Sequence, residues 1–351
     1  MRILNVADFN WMTGAERSSA NLSLFDICRK FTLAASRANH LVVEFSDRAV
    51  ARTAPLGRGR RRWAERRFLQ AVDEFAPDLI LLHFADRIGN RALAEARALA
   101  PGVAIADINI DPIDTRKNER RLGMRRGAAD ALFVTTAEPT LGRYVGRGAF
   151  AAYLPNPVDR AIESGRVFEV EAPPFDLILP VSDEAPREVG DERLSPAEAA
   201  RRLAARVPGL RLSTPGARGQ ARARGARYFA ALQSARMGWS LSRRAGLPLY
   251  ASDRMAHFFG WGLVVALDRR AGFDRFWGPA EAIFYDDLDD LAGSLRRLKD
   301  DDTAARAIAE RGWTRTWELF ESGRVLDYVL AQLFESGGAK GYEWPCERWG
   351  A

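Results

Sequence analysis

Short apolar runs of strand length alternate with helical stretches along almost the whole chain. The clearest run, 78–83 (DLILLH), lacks polar/apolar alternation, which is typical of a strand covered on both faces. Regular alternation of strands and helices predicts βαβ units, and hence parallel sheets in an α/β fold. We expect strands at 3–7, 41–45, 78–83, 103–108 and 131–135, followed by a second series at 175–179, 210–213, 237–241, 263–267 and 282–285.

The two series of strands predict two domains. A chain of 351 residues exceeds the usual size of a single hydrophobic core. Two prolines in the segment 154–159 (LPNPVD) favour an extended linker between the series. We predict an N-terminal domain over 1–157, completed by a C-terminal helix at 316–335, and a second domain over 158–315. The pattern does not place the tail at 336–351.

Composition is that of a globular protein, with 47% hydrophobic and 28% charged residues. No apolar run reaches membrane-spanning length. The chain opens on a strand rather than a signal peptide, and two cysteines make a poor disulfide framework. These features favour a cytoplasmic protein.

Positive charge is concentrated in the run from Arg58 to Arg67 (RGRRRWAERR), in a chain with a net charge of +6. We interpret this run as a solvated loop and helix face. The functional alternative is a surface for an anionic membrane or acceptor. No nucleic-acid-binding signature is present, so we expect no nucleic acid partner.

The stretch 247–267 (LPLYASDRMAHFFGWGLVVAL) predicts a helix followed by a buried strand. Ser252 is a good N-cap, and Asp253 suits the first turn of a helix. Arg254 in that turn makes the helix start a suitable seat for a phosphate. An ordinary helix packed on a sheet is the alternative interpretation.

Ligands of doubly wound sheets bind beyond the carboxyl ends of the strands. In the first half this rule selects His83, with Asp86 three residues later. A carboxylate near an imidazole raises its basicity, as a general base requires, although a strand-end histidine is often only structural. In the second half it selects Arg243, whose paired donors suit phosphate unless the residue lies in a plain surface turn. The same rule selects Asp8, Asn10, Trp11, Asp111 and Ser242.

Several enzyme classes lack their signatures. The chain has no G-x-G-x-x-G after its first strand, no Walker A sequence, no H-E-x-x-H, no cysteine pair at ligand spacing and no G-x-S-x-G. A dinucleotide-dependent dehydrogenase, a P-loop NTPase, a zinc enzyme and a serine hydrolase are therefore unsupported.

The chain resembles GT-B glycosyltransferases of the group 1 type, in the spore-maturation CgeB-like branch. The resemblance covers about residues 1–335. It is carried by the order of several short motifs along the chain. They are SLSR at 240–243, LYASDR at 249–254, GWG at 260–262, IAERG at 308–312, PDL at 77–79 and LPNPVD at 154–159, with Phe273, Phe276, Glu281, Tyr285, Asp111-Pro112 and Asp130.

The resemblance implies two facing Rossmann-like domains with a cleft between them. The second domain would bind a nucleotide-sugar donor, UDP- or GDP-linked, and the first a glycan, lipid-linked or protein acceptor. It implies no metal and no cofactor, because a helix dipole and basic side chains bind the diphosphate. Related retaining enzymes carry two glutamates where this chain has Leu249 and His257, so His257 is expected to hydrogen-bond the donor ribose or base.

We therefore predict a metal-independent glycosyltransferase acting in the cytoplasm or at the inner face of the membrane. A non-catalytic protein that binds a sugar nucleotide or glycan on the same fold is the main alternative, and a basic scaffold on a membrane or nucleic acid is a third. The predicted donor-binding residues are Ser242, Arg243, Tyr250, Ser252, Asp253, Arg254 and His257; the catalytic candidates are His83, Asp86 and Asp111; and the acceptor-side residues are Asp8, Asn10 and Trp11.

Overall fold

The computed structural model describes residues 1–9, 27–113 and 115–350. It divides the chain into two compact units. Unit 1 combines Met1–Pro155 with Ser322–Ala351, and unit 2 is Asn156–Glu321. Among the helices of the described residues, none is both long enough and apolar enough to cross a membrane.

Strands and helices alternate through both units. The first part of the chain forms β1 (Arg2–Ala7), α1 (Ile27–Arg37), β2 (Leu41–Ser46), α2 (Asp47–Arg52), α3 (Arg60–Phe75), β3 (Leu79–His83), α4 (Asn90–Leu99), β4 (Ala104–Asn109), α5 (Arg116–Leu122), β5 (Ala131–Val134) and β6 (Phe150–Tyr153). The remainder forms β7 (Phe175–Ile178), β8 (Arg187–Val189), β9 (Glu192–Leu194), α6 (Pro196–Arg206), β10 (Leu212–Ser213), α7 (Ala226–Gln233), β11 (Ala235–Trp239), α8 (Asp253–Gly260), β12 (Val264–Asp268), β13 (Ile283–Tyr285), α9 (Leu288–Asp300), α10 (Asp302–Phe320), α11 (Ser322–Phe334) and β14 (Trp349–Gly350).

Unit 1 is built on a seven-stranded sheet in the order β14-β6-β5-β4-β3-β1-β2. Strands β1 to β6 are parallel, and β14 joins β6 antiparallel. Every residue of β3 is buried, as its uninterrupted apolar run predicts. The parallel strands carry their carboxyl ends to one edge, which is where ligands bind in such sheets.

The C-terminal tail belongs to unit 1. The hydroxyl of Tyr328 on α11 donates to the carbonyl of Tyr153 on β6, at 2.8 Å. Trp344 is buried, and Trp349 pairs with Ala151 through β14. The segment that the sequence pattern did not place therefore completes the sheet of this unit.

Unit 2 contains a parallel five-stranded sheet in the order β10-β7-β11-β12-β13. Helix α8 lies close against it, because Gly238 on β11 has no side chain. A Cβ at Gly238 would lie 2.7 Å from the ring of Phe258. Helix α6 begins as predicted: the Ser195 hydroxyl accepts from the Glu198 amide at 3.2 Å, with proline at the first helical position.

Candidate functional site

The carboxyl ends of β7 and β11 in unit 2 meet at the start of α8. The guanidinium of Arg254, in the first turn of α8, donates to the carbonyl of Pro180 at 3.1 Å and to that of Leu241 at 2.6 Å. Its Nε is buried without a hydrogen-bond partner among the described residues. Burial lowers the pKa of Arg254 from its ordinary value. Arg254 is thus fixed at the strand ends with donor capacity left over.

A second arginine reaches the same place from a short hairpin. Strand β8 pairs with β9 and carries Arg187, which is 4% exposed. Its Nε is also buried without a partner in the described structure. Burial and then the neighbouring charge of Arg254 lower the pKa of Arg187 to about 10. Arg187 stays protonated at neutral pH, so two buried or partly buried cations lie close together.

The carboxylate of Asp183 lies beside these cations. Asp183 lies 3.6 Å from Arg187 and also pairs with Arg243, which follows β11. Burial raises the pKa of the Asp183 carboxyl, but the Ala185 amide and the two arginines together bring it below its ordinary value. The three guanidinium groups outnumber the carboxylates of Asp183 and, at the start of α8, Asp253, so positive charge is in excess. Such a pocket favours a negatively charged ligand, such as a diphosphate.

The start of α8 adds further polar groups to this arginine pocket (Arg187, Arg243 and Arg254). Ser252 is the N-cap residue as predicted, but its side chain makes no capping hydrogen bond, so its hydroxyl does not satisfy the first amides of the helix. One carboxylate oxygen of Asp253 is buried without a partner among the described residues. Beside these strand ends, the buried hydroxyl of Thr214 likewise has no partner in the described chain.

Two further predicted donor residues lie near this pocket. Tyr250 is buried and lies near both Arg187 and Arg254. The Ser242 hydroxyl instead closes its own turn, with the backbone of Arg244 at 3.3–3.4 Å. A role for Ser242 in ligand binding therefore stays a prediction.

His257 is engaged elsewhere. Its ring is 2% exposed, and its Nδ1 lies 2.6 Å from Oε1 of Glu163, whose side chain is fully buried. The other oxygen of Glu163 accepts from the Asp159 amide at 2.7 Å. The rings of Tyr228 and Phe229 lie edge-on to the imidazole, with centroids 5.6 and 5.5 Å away. The structure thus gives His257 a buried protein partner that the sequence did not predict, and a contact with ribose or base stays a prediction.

In unit 1, polar groups gather where β1, β2 and β3 end. Arg48 bridges two predicted residues, with Asp8 at 3.4 Å and Asp86 at 3.1 Å. Asp86, predicted as the carboxylate that assists His83, thus has Arg48 as its ion-pair partner. The predicted residues Asn10 and Trp11 lie outside the described residues.

The loop after β3 is held in a strained form. His83 is buried, with its ring 5.7 Å from that of Phe31. The next residue, Phe84, has φ +51°, which is unfavourable for a bulky side chain. The guanidinium of Arg121 lies 4.0 Å from the Phe84 ring centroid and also pairs with the predicted residue Asp111, at 3.2 Å. One arginine thus connects the loop after β3 with the turn after β4.

Buried Arg125 binds the loop after β3, and the buried carboxyls of Asp107 and Asp47 lie near this arginine. Arg125 donates to the carbonyls of Ala85 and Ile88, each at 2.6 Å. Burial raises the pKa of Asp107 on β4 to about 7, against the opposing charges of Arg125 and Arg121. Burial likewise raises the pKa of Asp47 to about 6. Our sequence analysis did not select Asp107, although an aspartate inside the apolar strand AIADIN was the available signal.

The raised pKa of Asp107 predicts that stability falls as the pH rises. A carboxyl with a higher pKa in the folded state stabilises the fold below its ordinary pKa of about 4, and this contribution is lost as the pH rises through about 7. We expect Asp107→Asn to reduce the fall in the free energy of unfolding between pH 5 and pH 8 by about 2–3 kcal/mol. Urea unfolding at both pH values measures it. The exposed control Asp73→Asn should leave the fall unchanged, and equal behaviour of the two variants would contradict the assignment.

Metal ligands were not predicted from the sequence. Within residues 1–9, 27–113 and 115–350, no group of three or more histidine, cysteine, aspartate or glutamate side chains is placed to hold a metal ion. Metal independence remains a prediction for experiment.

Comparison with known protein families matches a segment that includes Arg243 and Arg254 of the arginine pocket. Residues 192–331 match the family model described as glycosyl transferase-like. A search of curated protein sequences found no match. This segment is therefore similar to glycosyl transferase-like domains.

Solved structures match nearly the whole chain. HepE from Anabaena, in complex with UDP and glucose, aligns with a TM-score of 0.54 at 12% identity, over 94% of this chain and 98% of that one. Sucrose-phosphate synthase from Thermosynechococcus elongatus aligns with a TM-score of 0.57 at 14% identity, over 93% and 97%. AviGT4, a glycosyltransferase of avilamycin A biosynthesis, aligns with a TM-score of 0.57 at 13% identity, over 94% and 96%. The predicted GT-B fold is confirmed.

Proposed function

We propose that this GT-B chain is a glycosyltransferase that moves a sugar from a nucleoside-diphosphate sugar to a hydroxyl group of an acceptor. The observation that carries the proposal is the arginine pocket at the carboxyl ends of β7 and β11: Arg187 and Arg243 pair with the carboxylate of Asp183, and Arg254 lies near Arg187. The glycosyl transferase-like match over 192–331 supports the same function.

The pocket acts on the leaving group. Cleavage of the bond between sugar and diphosphate leaves extra negative charge on the diphosphate. Arg187 and Arg254 are already fixed by the fold, so they stabilise this charge with little reorganisation during the reaction. The backbone amides at the start of α8 also favour negative charge, because the helix dipole is positive at that end. Bringing donor and acceptor together supplies much of the remaining rate enhancement.

The acceptor is proposed to bind at the carboxyl ends of the strands of unit 1. His83, Asp86 and Asp111 lie on the loops there, and we propose one of them as the base that takes the hydroxyl proton. Asp8 joins the same network through Arg48. A glycan, a lipid-linked sugar or a protein is the proposed acceptor, with UDP or GDP on the donor.

Further parts of the proposal concern cellular context. We place the chain in the CgeB-like branch on the motifs at 240–262. We propose that it is a bacterial enzyme of cell-envelope polysaccharide synthesis, in the cytoplasm or on the inner face of the membrane. We also propose that it needs neither a metal nor a cofactor, so EDTA should leave its activity unchanged.

Turnover of a panel of UDP-, GDP-, TDP- and CMP-linked sugars tests the function. We expect one donor class to raise the melting temperature, because a ligand that binds only the folded state stabilises it. We also expect the same donor to be hydrolysed or transferred. Binding without hydrolysis or transfer to any glycan, lipid-linked or protein acceptor would instead support a non-catalytic sugar-nucleotide-binding protein. Failure of every donor to bind would contradict both.

A further inference from the structure

One surface of unit 1 concentrates positive charge around an exposed apolar residue. Residues 52–67 contain seven arginines and one glutamate, a formal charge of +6 that equals the net charge of the whole chain. The surface consists of the turn before α3 and the first half of that helix. We call it the basic tip. Its members are Arg52, Leu56, Arg58, Arg60, Arg61, Arg62, Trp63, Arg66 and Arg67.

The apolar residue lies at the end of a tight turn. The Arg58 amide donates to the Pro55 carbonyl at 3.0 Å, and Gly57 between them has φ +81°. This turn leaves the side chain of Leu56 fully exposed, at 105%. Trp63 stands next to it, half-buried, with its indole N–H donating to the Thr53 hydroxyl at 3.2 Å. A leucine at a loop end beside a tryptophan is typical of proteins that enter the interface of a bilayer.

The arginines of the tip are largely uncompensated. Arg61 pairs with Glu65 at 3.1 Å, whereas Arg58, Arg60, Arg62 and Arg66 have no carboxylate within ion-pair distance among the described residues. Some exposed arginines on other helices are paired, as Arg91 is with Glu95 on α4 and Arg201 with Glu198 on α6.

The position of these charges adds to their repulsion. Three arginines occupy the first turn of α3, and that turn contains no acidic residue. The helix dipole makes this end positive, so the three side chains are placed against its field. The inner face of α3, with Ala64, Phe68 and Val72, is buried in the core of unit 1 and keeps the helix in place. A negatively charged partner would relieve this electrostatic repulsion, which no acidic residue in the first turn of α3 offsets.

We propose that the basic tip docks the protein on a bilayer that carries anionic lipids. Leu56 enters the headgroup region, Trp63 lies at its boundary, and the arginines bind the lipid phosphates. Both the apolar residues and the arginines of the basic tip make favourable contacts with such a membrane. DNA in solution would use the arginines but not the leucine. The docking does not depend on the proposed sugar transfer, and it is measured without turnover.

Vesicle sedimentation with the full chain tests this proposal. We expect binding to vesicles of phosphatidylcholine with phosphatidylglycerol, weakened by salt, and no binding to phosphatidylcholine alone. Leu56→Asp, and the triple variant Arg58→Gln, Arg60→Gln and Arg62→Gln, should each lower the affinity for the anionic vesicles about tenfold or more. The matched control changes Arg218, Arg222 and Arg224 to glutamine. It removes the same charge from an exposed loop of unit 2 and should bind like the wild type.

Three outcomes would overturn the proposal. Equal losses in the two triple variants would show attraction by total charge rather than by the tip. Unchanged binding in Leu56→Asp, together with duplex DNA binding that depends on Arg58, Arg60 and Arg62, would identify a nucleic-acid surface instead. Full binding by both tip variants would exclude the tip altogether. Circular dichroism checks that each variant folds, which we expect because the changed side chains are exposed.

Discussion

Arg254→Ala is expected to weaken the binding of UDP about 100-fold while changing the binding of uridine by less than about threefold. The guanidinium of Arg254 lies at the ends of β7 and β11, and its buried Nε has no hydrogen-bond partner within residues 1–9, 27–113 and 115–350. A charged hydrogen bond to phosphate in such a place contributes about 2–3 kcal/mol, and a nucleoside without phosphates cannot gain it. Isothermal titration with UDP, UMP and uridine measures the difference. GDP and guanosine replace them if the donor screen selects GDP.

The design must separate ligand binding from folding, because Arg254 also holds the carbonyls of Pro180 and Leu241. Arg254→Lys keeps the charge but loses the paired donors, so it should fall between the wild type and the alanine variant. Arg243→Ala removes a more exposed cation and should weaken UDP binding by less. Circular dichroism and thermal unfolding check each variant. An equal loss for UDP and uridine in a folded Arg254→Ala variant would exclude a role in binding the diphosphate.

Glu163→Ala is expected to destabilise unit 2 by roughly 3–5 kcal/mol, because removal of one partner leaves the other polar group buried alone. The variant takes the carboxylate away from Nδ1 of His257 and from the Asp159 amide. Urea unfolding measures the loss. The control Glu169→Ala breaks the exposed pair with Arg166 and should change stability by less than about 1 kcal/mol.

A double-mutant cycle shows whether His257 and Glu163 act on each other. We expect Glu163→Leu combined with His257→Leu to cost less than the two single changes together, since the buried polar groups leave as a pair. Additive losses would show that the contact is not energetically coupled. His257→Asn, if folded, adds a second measurement: unchanged uridine affinity would assign the histidine to the fold, whereas a loss confined to the ligand would support the predicted contact with ribose or base.

Much of the fold follows from local patterns in the chain. Parallel strands buried on both faces need uninterrupted apolar runs, and runs such as LILLH of β3 appear close to their predicted places. Ser195 and Pro196 specify the start of α6 within a few residues of sequence. The hairpin β8–β9 was missed because each strand has three residues, too few to show a period. The tail was missed because its strand is defined by its partner, β6.

The candidate site was predictable where it depends on strand ends, and unpredictable where it depends on distant partners. The rule for parallel sheets selected Arg243, and the helix-start pattern selected Arg254. The structure places these two arginines near each other, with Arg243 paired to Asp183. His257 and Glu163 are 94 residues apart in the sequence. Such a pair leaves no periodic signal, and the histidine alone was open to several interpretations. The raised pKa of Asp107 results from its burial, which the sequence alone did not indicate.

The pairing of β14 with β6 has a consequence for how the protein is made. The edge of β6 opposite β5 is covered by Trp349 and Gly350, which leave the ribosome after all of unit 2. During synthesis the sheet formed by β1 to β6 therefore keeps the edge of β6 unpaired until unit 2 has been made. An unpaired edge is a template for association with other chains. The aromatic tail thus completes a sheet whose six other strands all precede unit 2 in the chain.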